Sequence, residues 1–236
     1  MHPLYSLRGI DPHAFNAFSW WNLLGVAGCV LWVVAYVLII RQCAREKTYG
    51  VPLLAICLNF TWECIAAWIA PNPVPLWSGL DRAWFFLDLI IVWQLLRYGR
   101  AEQTRAELRR YFYPVVALTL VLAFFGQYTF IQMYKDILGF MTAFIINLVM
   151  SVLFVGMYFE RAETRRGLSV PVAWLKLLGT LATGIECHIL VRQVDLGVSG
   201  VSFLTFLSVT IFLFDGLYLY LVMKPVTVPG LAAAQA

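Results

Sequence analysis

Residues 50–70 read GVPLLAICLNFTWECIAAWIA, and Glu63 is the one formal charge in those twenty-one positions. An apolar run of roughly 20 residues is long enough to cross a hydrocarbon layer as a helix. A carboxyl group in the middle of such a run is costly as an anion, so its presence points to a task. Asp215 repeats the situation in residues 201–222, VSFLTFLSVTIFLFDGLYLYLV.

The rest of the chain matches these two stretches. It is 61% hydrophobic and 13% charged, with a mean hydropathy of +0.79, whereas apolar residues make up about half of a soluble domain. Seven apolar runs, at about 18–41, 51–70, 82–97, 112–133, 137–159, 170–191 and 200–222, predict an all-α polytopic membrane protein with seven transmembrane helices. Connections of about 3 to 14 residues leave no room for a soluble domain, so residues 1–236 are expected to form one transmembrane domain.

Lysine and arginine counts predict the orientation. Arg41, Arg45, Lys47, Arg97, Arg100, Arg105, Arg109, Arg110, Arg161, Arg165, Arg166 and Lys224 fall on one side; Arg8, Arg82, Lys135 and Arg192 fall on the other. The basic side is the cytoplasmic one, which places the N-terminus outside (or in a lumen) and the C-terminus in the cytoplasm. The net charge of +4 follows from those loops and requires no nucleic-acid partner; the partner it implies is the lipid bilayer. Residues 1–17 lack the charged start and cleavage site of a signal peptide, so helix one is expected to stay in the mature protein. The five cysteines show neither metal spacing nor a disulfide framework and read as small packing residues.

An internal echo is visible. The second run follows TYG-VP and carries Glu63-Cys64, while the sixth follows GLS-VP and carries Glu186-Cys187. WFFLDLI surrounds Asp88 in the third run and IFLFDGL surrounds Asp215 in the seventh. Together these suggest a parallel 3+1+3 repeat with the fourth helix as connector. The proline-rich segment PNPVPLWSGLDR, residues 71–82, is expected to be too stiff for a helix and to lie along the surface. PVTVPGLAAAQA, residues 225–236, reads as a disordered tail.

At a rise of about 1.5 Å per residue, Glu63, Asp88, Gln127, Glu186 and His188 are expected in the outer half of the membrane. Asp215 is expected nearer the inner half. Acids facing lipid would be expelled, so polar groups at one level predict an enclosed cavity. Asn59, one turn from Glu63, is expected to orient its carboxyl, and Tyr218 to do the same for Asp215. Burial in low dielectric favours the neutral carboxyl, which then serves as a general acid. Asp88 has a competing structural use in an ion pair with Arg82, and hydration alone would satisfy Glu186 and His188. Lys176 is expected to snorkel to the headgroups, and Asn147 and Gln94 to bond between helices. Trp62, Trp84, Phe85 and Phe212 lie near the acids in sequence. Aromatics fill and belt any membrane bundle, but their ring faces also stabilise carbocations by about 0.5–2 kcal/mol per contact.

LNFTWECI around Glu63, the Asp88 region, and FDGLYLYL around Asp215 resemble the small integral-membrane terpene cyclases of meroterpenoid and indole-terpenoid biosynthesis. The most specific elements are Asn59-x-x-Trp62-Glu63 and Asp215-Gly216-x-Tyr218. The resemblance implies that Glu63 and Asp215 form an essential acidic pair. It also implies a hydrophobic prenylated substrate whose terminal epoxide or alkene is protonated before cation-driven ring closure, with no metal and no cofactor. No Asp-rich metal motif or nucleotide motif is present in the chain. The alternative is a small proton-coupled transporter built on the same repeat, although Pro52, Pro114 and Pro171 sit at predicted helix starts rather than at mid-helix breaks. A retinal photoreceptor would need a lysine in the seventh helix, and that run has none.

Overall fold

Prolines open three of the helices. Pro52 is the N-cap of α2 (Leu53–Cys64), Pro75 stands in the first turn of α3 (Pro75–Glu102), and Pro171 in the first turn of α6 (Val170–Leu190). A proline costs nothing there, because its missing N–H would have no partner in the helix. This corrects the expectation for residues 71–82: from Pro75 onward the segment is the first two turns of α3, with Trp77 and Asp81 on it. The remaining helices are α1 (Trp20–Glu46), α4 (Ala106–Tyr134), α5 (Phe140–Glu160) and α7 (Gly197–Met223). Because α4 starts earlier than its apolar run, Pro114 lies inside a continuous helix and not at its start.

The computed structural model describes residues 19–136, 138–191 and 197–225. The segment with Arg8, the loop residue Arg192 and the tail beyond Pro225 lie outside the described residues. Among those described there are seven helices and no strand. Helices α1, α4, α5, α6 and α7 are long and apolar enough to cross a membrane, and α2 with its continuation gives a shorter apolar stretch, Leu53–Ile69. Large apolar side chains such as Leu122, Phe125 and Leu213 point outward, as the surface of a lipid-embedded bundle requires.

The helices pack in two sets of three. Helix α3 packs against both α1 and α2, and α7 packs against both α5 and α6, while α4 lies on α2. Helices α1 and α6 join the two sets through the most extensive contact of all. Glycines permit it: a Cβ on Gly28 would stand 2.7 Å from Thr183 Cγ2 and 2.8 Å from the Gly179 carbonyl oxygen. Small residues let membrane helices approach this closely and gain dispersion contacts along their length.

The basic end is tied together by arginines. Arg161 Nη1 donates to the carbonyls of Tyr49 (2.6 Å) and Arg166 (3.0 Å), and its Nη2 pairs with Glu102 at 2.8 Å. Glu46 accepts from the Gly167 N–H at 2.7 Å. These bonds join three helix ends and a loop, and leave the opposite end of the bundle free to open into a cavity.

Gly28→Ala is expected to lower the thermal midpoint of the detergent-solubilised protein, at a cost of about 1–3 kcal/mol for overpacking. Gly126→Ala, where a Cβ meets open space, should leave the midpoint unchanged or raise it. Equal midpoints for Gly28→Ala and wild type would mean that the α1–α6 approach is looser than described.

Candidate active site

At the end where α1 begins and α2 finishes, five helices line a partly open cavity of about 200 Å³. Three carboxyl groups line it from three helices: Glu63 of α2, Asp81 of α3 and Glu186 of α6. All three residues are buried, Glu63 at 3% exposure. Its Oε2 has no hydrogen-bond partner. Just beyond it the helix widens into a π turn, Ile65–Ile69, a feature frequent near functional sites. Glu186 is accommodated because Gly25 on α1 has no side chain; a Cβ there would stand 2.7 Å from the Glu186 Cδ.

Aromatic side chains make up much of the remaining wall. Trp62 and Trp84 line the cavity as expected, and the indole N–H of each has no partner. Trp32 and Tyr36 of α1, Trp77 of α3, and Phe140 and Phe144 of α5 join them, none of which the sequence reading placed in the site. Phe85 instead stacks on Phe60 (5.4 Å between ring centroids) and meets Trp68 edge-on. Phe212 is exposed in a separate groove between α6 and α7. His188 lies in that groove too, with Nδ1 2.7 Å from the Gly184 carbonyl and Nε2 3.2 Å from Thr205 Oγ1. Phe85, Phe212 and His188 therefore lie outside the cavity, because their helical positions turn them away from it.

A second polar layer lies beneath. The amide of Asn59 does not reach Glu63; Nδ2 donates to Asp88 Oδ2 at 2.6 Å and to the Tyr36 hydroxyl at 2.7 Å. Asp88, fully buried, is thus held by Asn59 rather than by Arg82. Gln127 donates to the Leu58 carbonyl and Thr61 Oγ1, both at 3.0 Å, and Gln94 to the Ile40 carbonyl at 2.8 Å. Trp32, Tyr36 and Asn59 line both the cavity and a small void of about 10 Å³ below it, which Asp88 and Lys176 also line.

The structure corrects the expectations for Lys176 and Tyr218 here. Lys176 does not snorkel: it is 1% exposed, and its Nζ forms an ion pair with Asp215 and donates to Ser151 Oγ at 2.7 Å and Asn147 Oδ1 at 3.3 Å. Asp215 consequently lines no part of the cavity, so it does not face Glu63. Tyr218 packs its ring on Phe154, with centroids 5.1 Å apart, and donates no hydrogen bond to Asp215 among the described residues.

Fold and cavity together define a small polytopic membrane protein with an acid-lined, aromatic-walled chamber. The chain belongs to the Pyr4-like transmembrane terpene cyclases, whose family model matches residues 9–224. Among similar proteins, terpene cyclase prhH of Penicillium brasilianum is 26% identical over 231 residues, covering 94% of this chain and 91% of that protein. Terpene cyclase cle7 of Aspergillus versicolor is 27% identical over 180 residues, 75% of this chain and 71% of that one. Terpene cyclase macJ of Penicillium terrestre is 26% identical over 187 residues, 76% and 67% respectively. No solved structure matches the chain. Membership of a cyclase family disfavours the transporter alternative.

Asn59→Leu strands the Asp88 carboxyl and is expected to cost about 1–3 kcal/mol of stability, since a buried polar group is left unsatisfied. Combining it with Asp88→Leu should recover most of that loss. A thermal-melt double-mutant cycle in detergent checks this; additive losses would mean that the two residues do not depend on each other.

Proposed function

We propose that this chain cyclises a hydrophobic prenylated substrate by acid initiation, with Glu63 as proton donor. The observation that carries the reading is the Glu63 carboxyl, buried at 3% exposure in an aromatic-walled cavity with one oxygen unpartnered. A buried carboxyl with no cation beside it favours its neutral form, and neutral acids in apolar pockets act as general acids. In the reaction the Glu63 O–H bond breaks as its proton adds to a terminal alkene carbon or epoxide oxygen. The neighbouring π bond attacks the developing cation, a ring closes, and the charge moves along the chain. Loss of a proton from carbon ends the sequence, so the product is an isomer of the substrate.

Indole and phenol faces in the wall suit the intermediate, each contact contributing about 0.5–2 kcal/mol to a cation. Trp62 and Trp84 stand nearest in sequence to the acids that open and close the reaction. Asp81 or Glu186 in its ionised form is the closing base in this scheme: it takes the final proton, and return of a proton to the Glu63 carboxylate restores the donor for the next turnover. Asn59 and Asp88 act one layer down, holding α2 and α3 in register so that Glu63 keeps its aim. The gathering of arginines at the opposite end supports an orientation with the N-terminus outside or lumenal and the C-terminus cytoplasmic. The substrate then meets the cavity from the outer leaflet.

Membranes containing the chain, supplied with prenylated indoles and phenols with and without terminal epoxides, are expected to yield a cyclised product of unchanged mass. Glu63→Gln should lower its formation by roughly 100-fold or more, the usual contribution of a general acid. Full turnover by folded Glu63→Gln would rule the donor assignment out. Asp81→Asn and Glu186→Gln are expected to redistribute products toward different final alkenes, read by chromatography and mass spectrometry. An unchanged product pattern in both would remove them as closing bases.

A further inference from the structure

We propose that Asp215 is a positioning residue that serves the reaction as the counter-ion of Lys176, exchanging no proton with the substrate. The inference rests on the acid-initiated reading of the cavity above. Its basis is the placement of Lys176. A protonated amine has three N–H donors, and three acceptors surround this one: Asp215 Oδ1, Ser151 Oγ at 2.7 Å and Asn147 Oδ1 at 3.3 Å. Lys176 and Asp215 are each 1% exposed. The pocket is therefore built around an ammonium ion, and Asp215 supplies its only carboxylate among the described residues.

The ammonium sits one side chain away from the chemistry. Its Nζ lies 5.5 Å from the Trp32 ring centroid, and both Trp32 and Asn147 line the cavity that holds Glu63. Lys176 itself lines the small void beneath, together with Tyr36 and Asn59. A buried charge deprived of its partner is neutralised. A neutral amine there would be a base and a nucleophile beside a chamber that must hold a proton donor and a carbocation. An ammonium is neither. Asp215 thus keeps the lysine charged and inert, and Lys176 in turn fixes the Asn147 carbonyl; the Asn147 Nδ2 donates to Thr180 Oγ1 at 3.3 Å, which locks the amide in the wall.

The test compares wild type, Glu63→Gln, Asp215→Asn, Lys176→Met and the double variant Lys176→Met/Asp215→Asn in the product assay. Folded protein is measured by size exclusion and thermal melting in detergent. Asp215→Asn is expected to lose turnover by on the order of 100-fold, and the double variant to recover to within roughly tenfold of wild type, because replacing a whole buried ion pair is tolerated where breaking it is not. A double variant that folds and is as inactive as Glu63→Gln would overturn the proposal and make Asp215 a reacting acid. Ser151→Asp in the Asp215→Asn background puts the carboxylate at another of the amine's acceptor positions and should rescue in the same way. If neither double variant accumulates, the single variants decide: Lys176→Met must be milder than Asp215→Asn, and an equal or greater loss overturns the proposal. The melting cycle reads the ion pair without any substrate: strong non-additivity is expected, and additive losses would overturn the pairing. Wild type that converts no substrate, with that coupling intact, would count against the cyclisation reading and not against the counter-ion.

Discussion

The cost of placing charge in a low-dielectric, water-poor interior governs this bundle. Every buried ionisable group needs a hydrogen-bond donor, a counter-ion or a use. Asp88 has the Asn59 amide, Asp215 has Lys176, and Arg161 has Glu102. Glu63 has none of these among the described residues, although it is as deeply buried as its neighbours. A group that the fold leaves unsatisfied, in a wall otherwise made largely of aromatic rings, is one whose partner arrives from outside.

The scaffold explains why that group can be left unsatisfied without collapse. Glycines bring α1 and α6 into close contact, and Gly25 makes room for Glu186 at the cavity margin. At the other end, arginine-to-carbonyl bonds clamp the helix termini. With one end fastened and the α1–α6 seam tight, the five helices around Glu63 hold an opening that hydrophobic packing alone would close. The rigid layer at Asn59, Asp88 and Tyr36 forms the floor of that opening.

Much of this was legible in the chain. Seven apolar runs gave seven helices, since run length and polarity decide membrane helices with little help from tertiary context. Depth placed Glu63, Asp88, Gln127, Glu186 and His188 at one level, of which Glu63 and Glu186 line the cavity. What failed was direction around the helix. The distance of Lys176 from its helix end gives depth but says nothing of facing; it lies one turn before Thr180 on the inward face and so meets Asp215. Asp81 and Trp77 were missed because three prolines argued against a helix, whereas Pro75 begins one. With α3 extended, Trp77, Asp81, Trp84 and Asp88 recur at intervals of four, three and four and mark a single inward stripe. Phe85, one residue out of that stripe, faces Trp68 instead.

The repeat gives the two polar layers a common logic. Glu63 and Glu186 occupy matching places in α2 and α6, and both line the cavity. Asp88 and Asp215 occupy matching places in α3 and α7, and each is held by a donor from the helix before it in the chain. The halves differ in the charge of that donor: a neutral amide in the first, an ammonium in the second. A neutral donor leaves Asp88 free of any requirement to be ionised. A charged one requires an anion, because two buried groups satisfy each other at least cost when their charges cancel. Corresponding positions thus hold an acid with two kinds of partner, and only the one in the second half stands in an ion pair. The fixed ion pair is thus confined to the second half, while the carboxyl groups that line the cavity come from both.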